Sequence, residues 1–132
     1  MTMSPFERFI LIDDNEADNV FHEIMIRRAG FTGEVLIFEN GIDALKWFTH
    51  DLDAVPTCVF LDINMPMMDG FEVAENAAPL IEKKPTVMVV MLTSSGSPAD
   101  KERALTLPVI QGYVTKPLTS EQVKALMAPP GA

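Results

Sequence analysis

The stretch that decides the fold is VFLDINMPMMDG, residues 59–70, in which an apolar run ends abruptly in a carboxylate. Its β-branched and aromatic residues predict a buried strand that ends at Asp62. Pro66 and the Asp69-Gly70 pair predict a loop after this strand, and Asp69 can cap a following helix. An acid at a strand tip has two interpretations. It is either a polar residue that ends the burial, or a nucleophile or metal ligand.

Four other strands are predicted on either side of this stretch, at residues 9–12, 34–38, 86–92 and 112–115. The run at 86–92 is the most apolar of the chain, and we take it as the best candidate for a central strand.

Helical patterns separate these strands. The first helix is predicted at residues 16–29, with Asp14 or Asn15 as its cap, an apolar stripe through Val20 and Ile24, and a stop at Gly30. The others are predicted from Asn40 through Phe48, from Asp69 to a kink or end at Pro79, at residues 98–105, and from Thr119 or Ser120 to about Met127.

Strand and helix therefore alternate five times, without a repeat or a linker. This alternation predicts an α/β fold, a doubly wound parallel sheet with helices on both faces. We expect a single domain over residues 1–132, with its core at about 7–127, a loop at residues 51–56 and a flexible tail at 128–132. In such sheets the loops at the C-terminal ends of the strands build the functional site.

The composition excludes several classes of partner. A formal net charge of -9 argues against direct binding of nucleic acid and against docking on an anionic membrane. No apolar run approaches the roughly 20 residues that a spanning helix needs, and the N-terminus lacks a secretory signal. Cys58 lies in an apolar run and is predicted to be a small core residue. A cytoplasmic location is the default expectation.

Polar side chains end four of the five predicted strands: Asp13 and Asp14, Asp62, Thr93, and Lys116. Any one of them is explained by the need to end a strand in something polar. Three acids, a hydroxyl and a lysine at one edge are less easily explained in that way. At about 4 Å and an effective dielectric near 20, each pair of carboxylates costs about 4 kcal/mol.

A hard divalent cation would compensate this repulsion, and Mg²⁺ suits carboxylates, a backbone carbonyl and waters. A cation together with the ammonium of Lys116 would attract phosphoryl oxygens. The sequence contains no glycine-rich phosphate loop and no cluster of cysteine and histidine. Its two histidines, His22 and His50, fall in predicted helices, and we expect surface positions for both.

Four motifs occur in order: LIDD at residues 11–14, LDINMPMMDG at 61–70, LTS at 92–94 and GYVTKP at 112–117. With these motifs the chain resembles the receiver domains of two-component response regulators, from Phe9 to about Met127. The resemblance implies the flavodoxin-like strand order 2-1-3-4-5. It also implies a signalling protein that catalyses at most its own phosphorylation and dephosphorylation.

The resemblance assigns a role to each group at the strand tips. Asp62 would accept a phosphoryl group from the phosphohistidine of a sensor histidine kinase or a histidine phosphotransfer protein. Asp14, Asp62 and the backbone carbonyl of Asn64 would bind Mg²⁺ directly, and Asp13 mostly through a water. Lys116 and Thr93 would each bind a phosphoryl oxygen.

The resemblance also implies a switch, in which Thr93 moves toward the phosphoryl group and Tyr113 rotates. A cis bond is expected before Pro117. A downstream protein partner would bind the face formed by the fourth helix, last strand and last helix. Residues 107–111, a short fourth helix and Pro79 depart from the common pattern, and they put the shape of this face in doubt.

Two other functions are compatible with a strand-tip aspartate. A haloacid-dehalogenase-type phosphatase would have a second aspartate two residues after the nucleophile, where this chain has Asn64. A phosphorylation-independent interaction module would have lost some of the strand-tip groups, and none is lost. The start at Met1 and the short end after Met127 favour a free-standing receiver over part of a longer regulator.

Overall fold

A computed structural model describes residues 5–51, 55–82, 86–94 and 97–128 of the chain. Five strands and five helices alternate within these residues, as predicted. The strands are β1 (Arg8–Ile12), β2 (Glu34–Phe38), β3 (Thr57–Asp62), β4 (Val87–Thr93) and β5 (Ile110–Thr115). The helices are α1 (Glu16–Arg28), α2 (Gly41–Asp51), α3 (Gly70–Ile81), α4 (Pro98–Leu105) and α5 (Ser120–Met127). The predicted loop at 51–56 and the predicted tail lie partly outside the described residues.

The strands form one parallel sheet in the order β2-β1-β3-β4-β5, which confirms the predicted fold class and strand order. β3 is the middle strand, and all six of its residues are buried. The most apolar run, at residues 86–92, forms most of β4, which pairs with β3 on one side and β5 on the other. Because all strands are parallel, their C-terminal ends meet at one edge of the sheet.

Alternate residues of β3 enter two separate hydrophobic clusters, one on each face of the sheet. Val59 and Leu61 pack with residues of α2, α3 and α4, whereas Cys58 and Phe60 pack with residues of α1 and α5. Helices therefore cover both faces, as the alternation of elements predicts. Cys58 is fully buried, as expected, and burial raises the pKa of its thiol.

Side-chain caps define most of the helix starts. Asn15, not Asp14, caps α1, because its side chain accepts a hydrogen bond from the Asp18 N–H at 3.0 Å. Asp69 and Thr119 cap α3 and α5, each in a reciprocal capping box. The expected stop at Gly30 is confirmed, since Gly30 takes a left-handed φ of 99° after the last turn of α1.

Pro79 does not end α3, contrary to one of the two alternatives above. The helix continues to Ile81, and the Glu82 N–H still bonds to the Ala78 carbonyl at 2.9 Å. Pro79 cannot donate a hydrogen bond to the Glu75 carbonyl, but only Leu80 and Ile81 follow it in the helix, so little of α3 depends on the lost bond.

The predicted core stripe of α1 was wrong. Val20 and Ile24 are 52% and 44% exposed, whereas Asn19 and His22 are buried. The expectation of a surface position for His22 was therefore also wrong, while His50 is exposed as expected. Two features favour this rotation: the Asn19 side-chain amide donates a hydrogen bond to the Asp13 carbonyl at 2.9 Å, and Met25 and Ile26 are buried together with Asn19 and His22.

Candidate functional site

Three carboxylates meet at the C-terminal edge of the sheet. Asp13 and Asp14 follow β1, and Asp62 is the last residue of β3, the strand that pairs with β1. One oxygen from each lies within 4.8 Å of the others. Asp13 and Asp62 are buried, whereas Asp14 is exposed. This arrangement leaves the cluster open to solvent on the Asp14 side.

The pKa of Asp62 is raised to about 6 at this position. Burial of the carboxyl group is the main cause, and the charge of Asp13 adds to it, while the hydrogen bond from Lys116 acts in the opposite direction. The ionised form of Asp62 is therefore costly in the protein alone. Further positive charge at this edge would stabilise it.

Lys116 provides one such charge. Its Nζ donates to Asp13 Oδ2 at 2.7 Å and lies 3.1 Å from Asp62 Oδ1. Burial alone would lower the pKa of this lysine, but hydrogen bonds to the carboxylates raise it, so the side chain is an ammonium. The backbone N–H of Lys116 donates to the Thr93 carbonyl at 2.7 Å, and the bond to Pro117 is cis, as expected.

A fourth carboxylate, which the sequence reasoning missed, also contacts this lysine. Asp18 Oδ2 lies 3.0 Å from Lys116 Nζ. Asp18 is in the first turn of α1, the helix that begins directly after the Asp13-Asp14 pair. The position of Asp18 in the sequence could have indicated this contact. An acid in the first helical turn after a strand tip stays near the same edge of the sheet.

The loop after Asp62 returns tightly against the backbone of Asp62 and Ile63. The Gly70 N–H bonds to the Ile63 carbonyl at 2.8 Å, and a Cβ on Gly70 would lie only 2.3 Å from the Asp62 carbonyl oxygen. Asn64 is exposed in this loop, and Met67 holds a left-handed φ of 69° with its side chain 82% exposed. A glycine at position 70 thus allows helix α3 to begin against the backbone of Asp62.

Thr93 and Tyr113 lie on the two strands beyond Asp62. Thr93 is fully buried at the end of β4, opposite Thr115 of β5. Tyr113 is half-buried, and its hydroxyl is buried without a hydrogen-bond partner among the described residues. Tyr113 also lines a groove of about 120 Å³ between α4 and β5, beside Leu105, which is 80% exposed.

His22 is buried close to the same charges. Burial lowers its pKa, as does the nearby ammonium of Lys116, and the charges of Asp18 and Asp13 oppose these effects only in part. Its Nδ1 atom has no hydrogen-bond partner within the described part of the chain. The imidazole is therefore neutral near pH 7, and it adds no charge to the site.

A doubly wound parallel sheet with buried acids and a lysine at its C-terminal edge defines a class of α/β protein whose site lies at the strand ends. Residues 9–128 match the family described as response regulator receiver domain, and the chain belongs to that family. It is therefore a receiver domain of two-component signalling, a signalling module rather than a conventional enzyme.

The relatives agree with this assignment. The probable methanogenesis regulatory protein FilR2 of Methanothrix harundinacea is 32% identical over 118 residues, which are 87% of this chain and 75% of that protein. A two-component response regulator from Cytophaga hutchinsonii has a TM-score of 0.78 at 26% identity, covering 92% of this chain and 93% of that one. The chemotaxis protein CheY4 of Vibrio cholerae has a TM-score of 0.71 at 26% identity, covering 89% and 92%.

Other relatives are longer than this chain. The probable transcriptional regulator ycf27 of Guillardia theta is 30% identical, but the match spans only 43% of its length.

Among the helices in the described ranges, none is long and apolar enough to cross a membrane.

Proposed function

We propose that this receiver domain is activated by phosphorylation of Asp62, with a phosphohistidine of a kinase or phosphotransfer protein as the donor. The observation that carries the proposal is the position of Asp62. Its carboxylate is buried at the end of the middle strand, within 4.8 Å of the oxygens of Asp13 and Asp14 and 3.1 Å from the Lys116 ammonium. The Lys116 ammonium and the carboxylates of Asp13 and Asp14 are therefore close enough to interact with a group that is bound to Asp62.

In the proposed reaction a carboxylate oxygen of Asp62 forms a bond to phosphorus as the P–N bond to the donor imidazole breaks. The imidazole leaves with the bonding electron pair and takes up a proton. Lys116 holds the reacting oxygens in place, because its ammonium already lies within hydrogen-bond distance of Asp62 Oδ1. Thr93, at the end of the adjacent strand, would bind a second phosphoryl oxygen.

The donor set fits Mg²⁺. Asp14 and Asp62 would bind the ion directly together with the backbone carbonyl of Asn64, and Asp13 would bind it mostly through water. The fit rests on the clustered carboxylate oxygens and on the raised pKa of Asp62, both of which call for a nearby cation. When bound, Mg²⁺ supplies charge neutralisation for the acceptor carboxylate and the incoming phosphoryl oxygens.

The signal would pass to a protein partner on the face formed by α4, β5 and α5. Phosphorylation would replace the single negative charge of the Asp62 carboxylate with a phosphoryl group that carries about -1.5 to -2. We expect Thr93 to move toward this charge and Tyr113 to change its rotamer. The buried, unpaired Tyr113 hydroxyl and the groove beside Leu105 support this expectation, because a new position of the ring would reshape the groove.

The test is labelling of Asp62→Asn by a small-molecule phosphodonor with Mg²⁺, measured by intact-protein mass spectrometry. The wild-type protein should gain one phosphoryl group and the variant none, because an amide cannot form the acyl phosphate. Asp100→Asn, in the first turn of α4, is a matched control that should be labelled like the wild type. Stoichiometric labelling of Asp62→Asn would place the acceptor elsewhere.

A further inference from the structure

The carboxylate of Asp18 is placed differently from the others that Lys116 contacts. Asp13 and Asp62 contact Lys116 and also belong to the cluster of oxygens that can hold a metal ion. Asp18 contacts Lys116 at 3.0 Å but is not in that cluster. Its side chain is 39% exposed, so it lies on the solvent side of the ammonium.

A cation bound to the cluster would compete with Lys116. An ammonium has three N–H donors, and three carboxylate oxygens lie 2.7, 3.0 and 3.1 Å from Lys116 Nζ. A divalent ion would draw on oxygens of Asp13 and Asp62 and would repel the ammonium. Of the described carboxylates that contact Lys116, only Asp18 lies outside the set that would bind the divalent ion.

The position of Asp18 is fixed by the start of α1. Its N–H donates to the Asn15 side chain, and the neighbouring Asn19 amide donates to the Asp13 carbonyl. Through the Asn19 contact, the first turn of the helix is tied to Asp13, the residue that follows β1. The carboxylate is presented to Lys116 by a rigid element, so little side-chain ordering is needed to keep the contact.

We propose that Asp18 is a positioning residue that holds the Lys116 ammonium beside the cluster, so that a divalent cation and the lysine occupy the site together. Without Asp18, the ammonium relies on the two carboxylates that the cation also needs, and the two compete. The inference rests on the proposed function, since it concerns the cation that phosphorylation of Asp62 would use.

The probe is Mg²⁺ alone, titrated into the intact chain and followed by calorimetry or by amide NMR shifts. We expect Asp18→Asn to weaken Mg²⁺ affinity about tenfold, which corresponds to about 1.4 kcal/mol. Glu16→Gln is the matched control, since it removes the same charge from the same helical turn. Glu16 is exposed and lies outside the set of described carboxylates that contact Lys116. Its substitution should weaken affinity by about threefold or less, because solvent and salt screen exposed charges.

A double-mutant cycle with Lys116→Met separates positioning from simple charge. In that background the effect of Asp18→Asn should shrink to the size of the Glu16→Gln effect, because no ammonium is left to compete with Mg²⁺. Asp18→Glu, which keeps the carboxylate, should bind Mg²⁺ within about threefold of the wild type. If the asparagine variant folds poorly, Asp18→Ser is a second variant without the carboxylate, and it should also weaken Mg²⁺ affinity about tenfold.

Two results would overturn the inference alone. One is an Asp18→Asn effect no larger than that of Glu16→Gln, and the other is an equal effect with and without Lys116. A wild-type protein that binds no Mg²⁺ would overturn both this inference and the proposed metal site, and that outcome is visible before any variant is measured.

Discussion

Gly70→Ala is the substitution for which the structure predicts the sharpest effect. A Cβ at this position would lie 2.3 Å from the Asp62 carbonyl oxygen and 3.0 Å from both the Asp62 carbonyl carbon and Ile63 Cα. All three are backbone atoms, so no side-chain rotation relieves the overlap. The start of α3 would have to move away from the end of β3, or the end of β3 would have to move.

We expect Gly70→Ala to lower the free energy of unfolding by about 3 kcal/mol, the upper end of the range for overpacking. A methyl group also reduces the entropy of the unfolded chain, but that gain is about 0.4–1 kcal/mol and does not offset the overlap. Because small domains have unfolding free energies of about 5–15 kcal/mol, the variant should fold and be measurable.

The assay is urea unfolding followed by circular dichroism, with Gly112→Ala as the control. A Cβ on Gly112 meets the methyl groups of Val90 at 3.2 Å and 3.4 Å, and a side chain can adjust. The control should lose about 1 kcal/mol or less. The displaced atoms in Gly70→Ala belong to Asp62 itself, so this variant alone should also bind Mg²⁺ more weakly. Equal stability of the two variants would refute the reasoning.

Three smaller effects follow from single residues. Met67→Gly should raise the unfolding free energy by about 0.5–1 kcal/mol, because glycine relieves the left-handed φ of 69° and the side chain that is lost is exposed. A loss of stability in urea unfolding would contradict this. Asp69→Ala should cost about 1 kcal/mol by removing the reciprocal cap with Glu72, and Asn at this position should restore most of it. The pKa of His22 is lowered by burial and by Lys116, so the stability that its neutral form contributes is complete above pH 6.5 and is lost as the pH falls below that value. The difference in unfolding free energy between the wild type and His22→Gln, measured across that range, should therefore shrink with acidification, and a constant difference would exclude this linkage.

The site edge could be predicted because strand tips follow from local patterns. Each apolar run ends in a polar residue, and parallel pairing places Ile12 of β1 beside Leu61 of β3. The next residues, Asp13 and Asp62, must then be neighbours. No tertiary information beyond the strand order is needed for that conclusion, which is why the acids and Lys116 were found from the sequence.

The rotation of α1 could not be predicted in the same way. Two stripes on this helix satisfy the helical period, one through Val20 and Ile24 and one through Asn19, His22 and Ile26. Hydrophobicity alone favours the first, but the structure buries the second. The deciding contact, from the Asn19 amide to the Asp13 carbonyl, joins a helix to a strand end. The contact of Asp18 with Lys116 depends on this rotation, so it could not be seen either.

Several features that cost stability lie around Asp62 and the end of β1. Asn19 Oδ1 and His22 Nδ1 are buried without partners in the described part of the chain, and each such atom costs about 1–3 kcal/mol. Met67 adds a strained backbone in the loop that follows Asp62. Leucine at positions 19 and 22 would remove these unpaired polar atoms. It would also remove the Asn19 hydrogen bond that fixes the first turn, and with it the position of Asp18. Asn19 and His22 therefore cost stability in a face of α1 that also buries Met25 and Ile26, and Asn19 holds the first turn where the contact of Asp18 with Lys116 needs it.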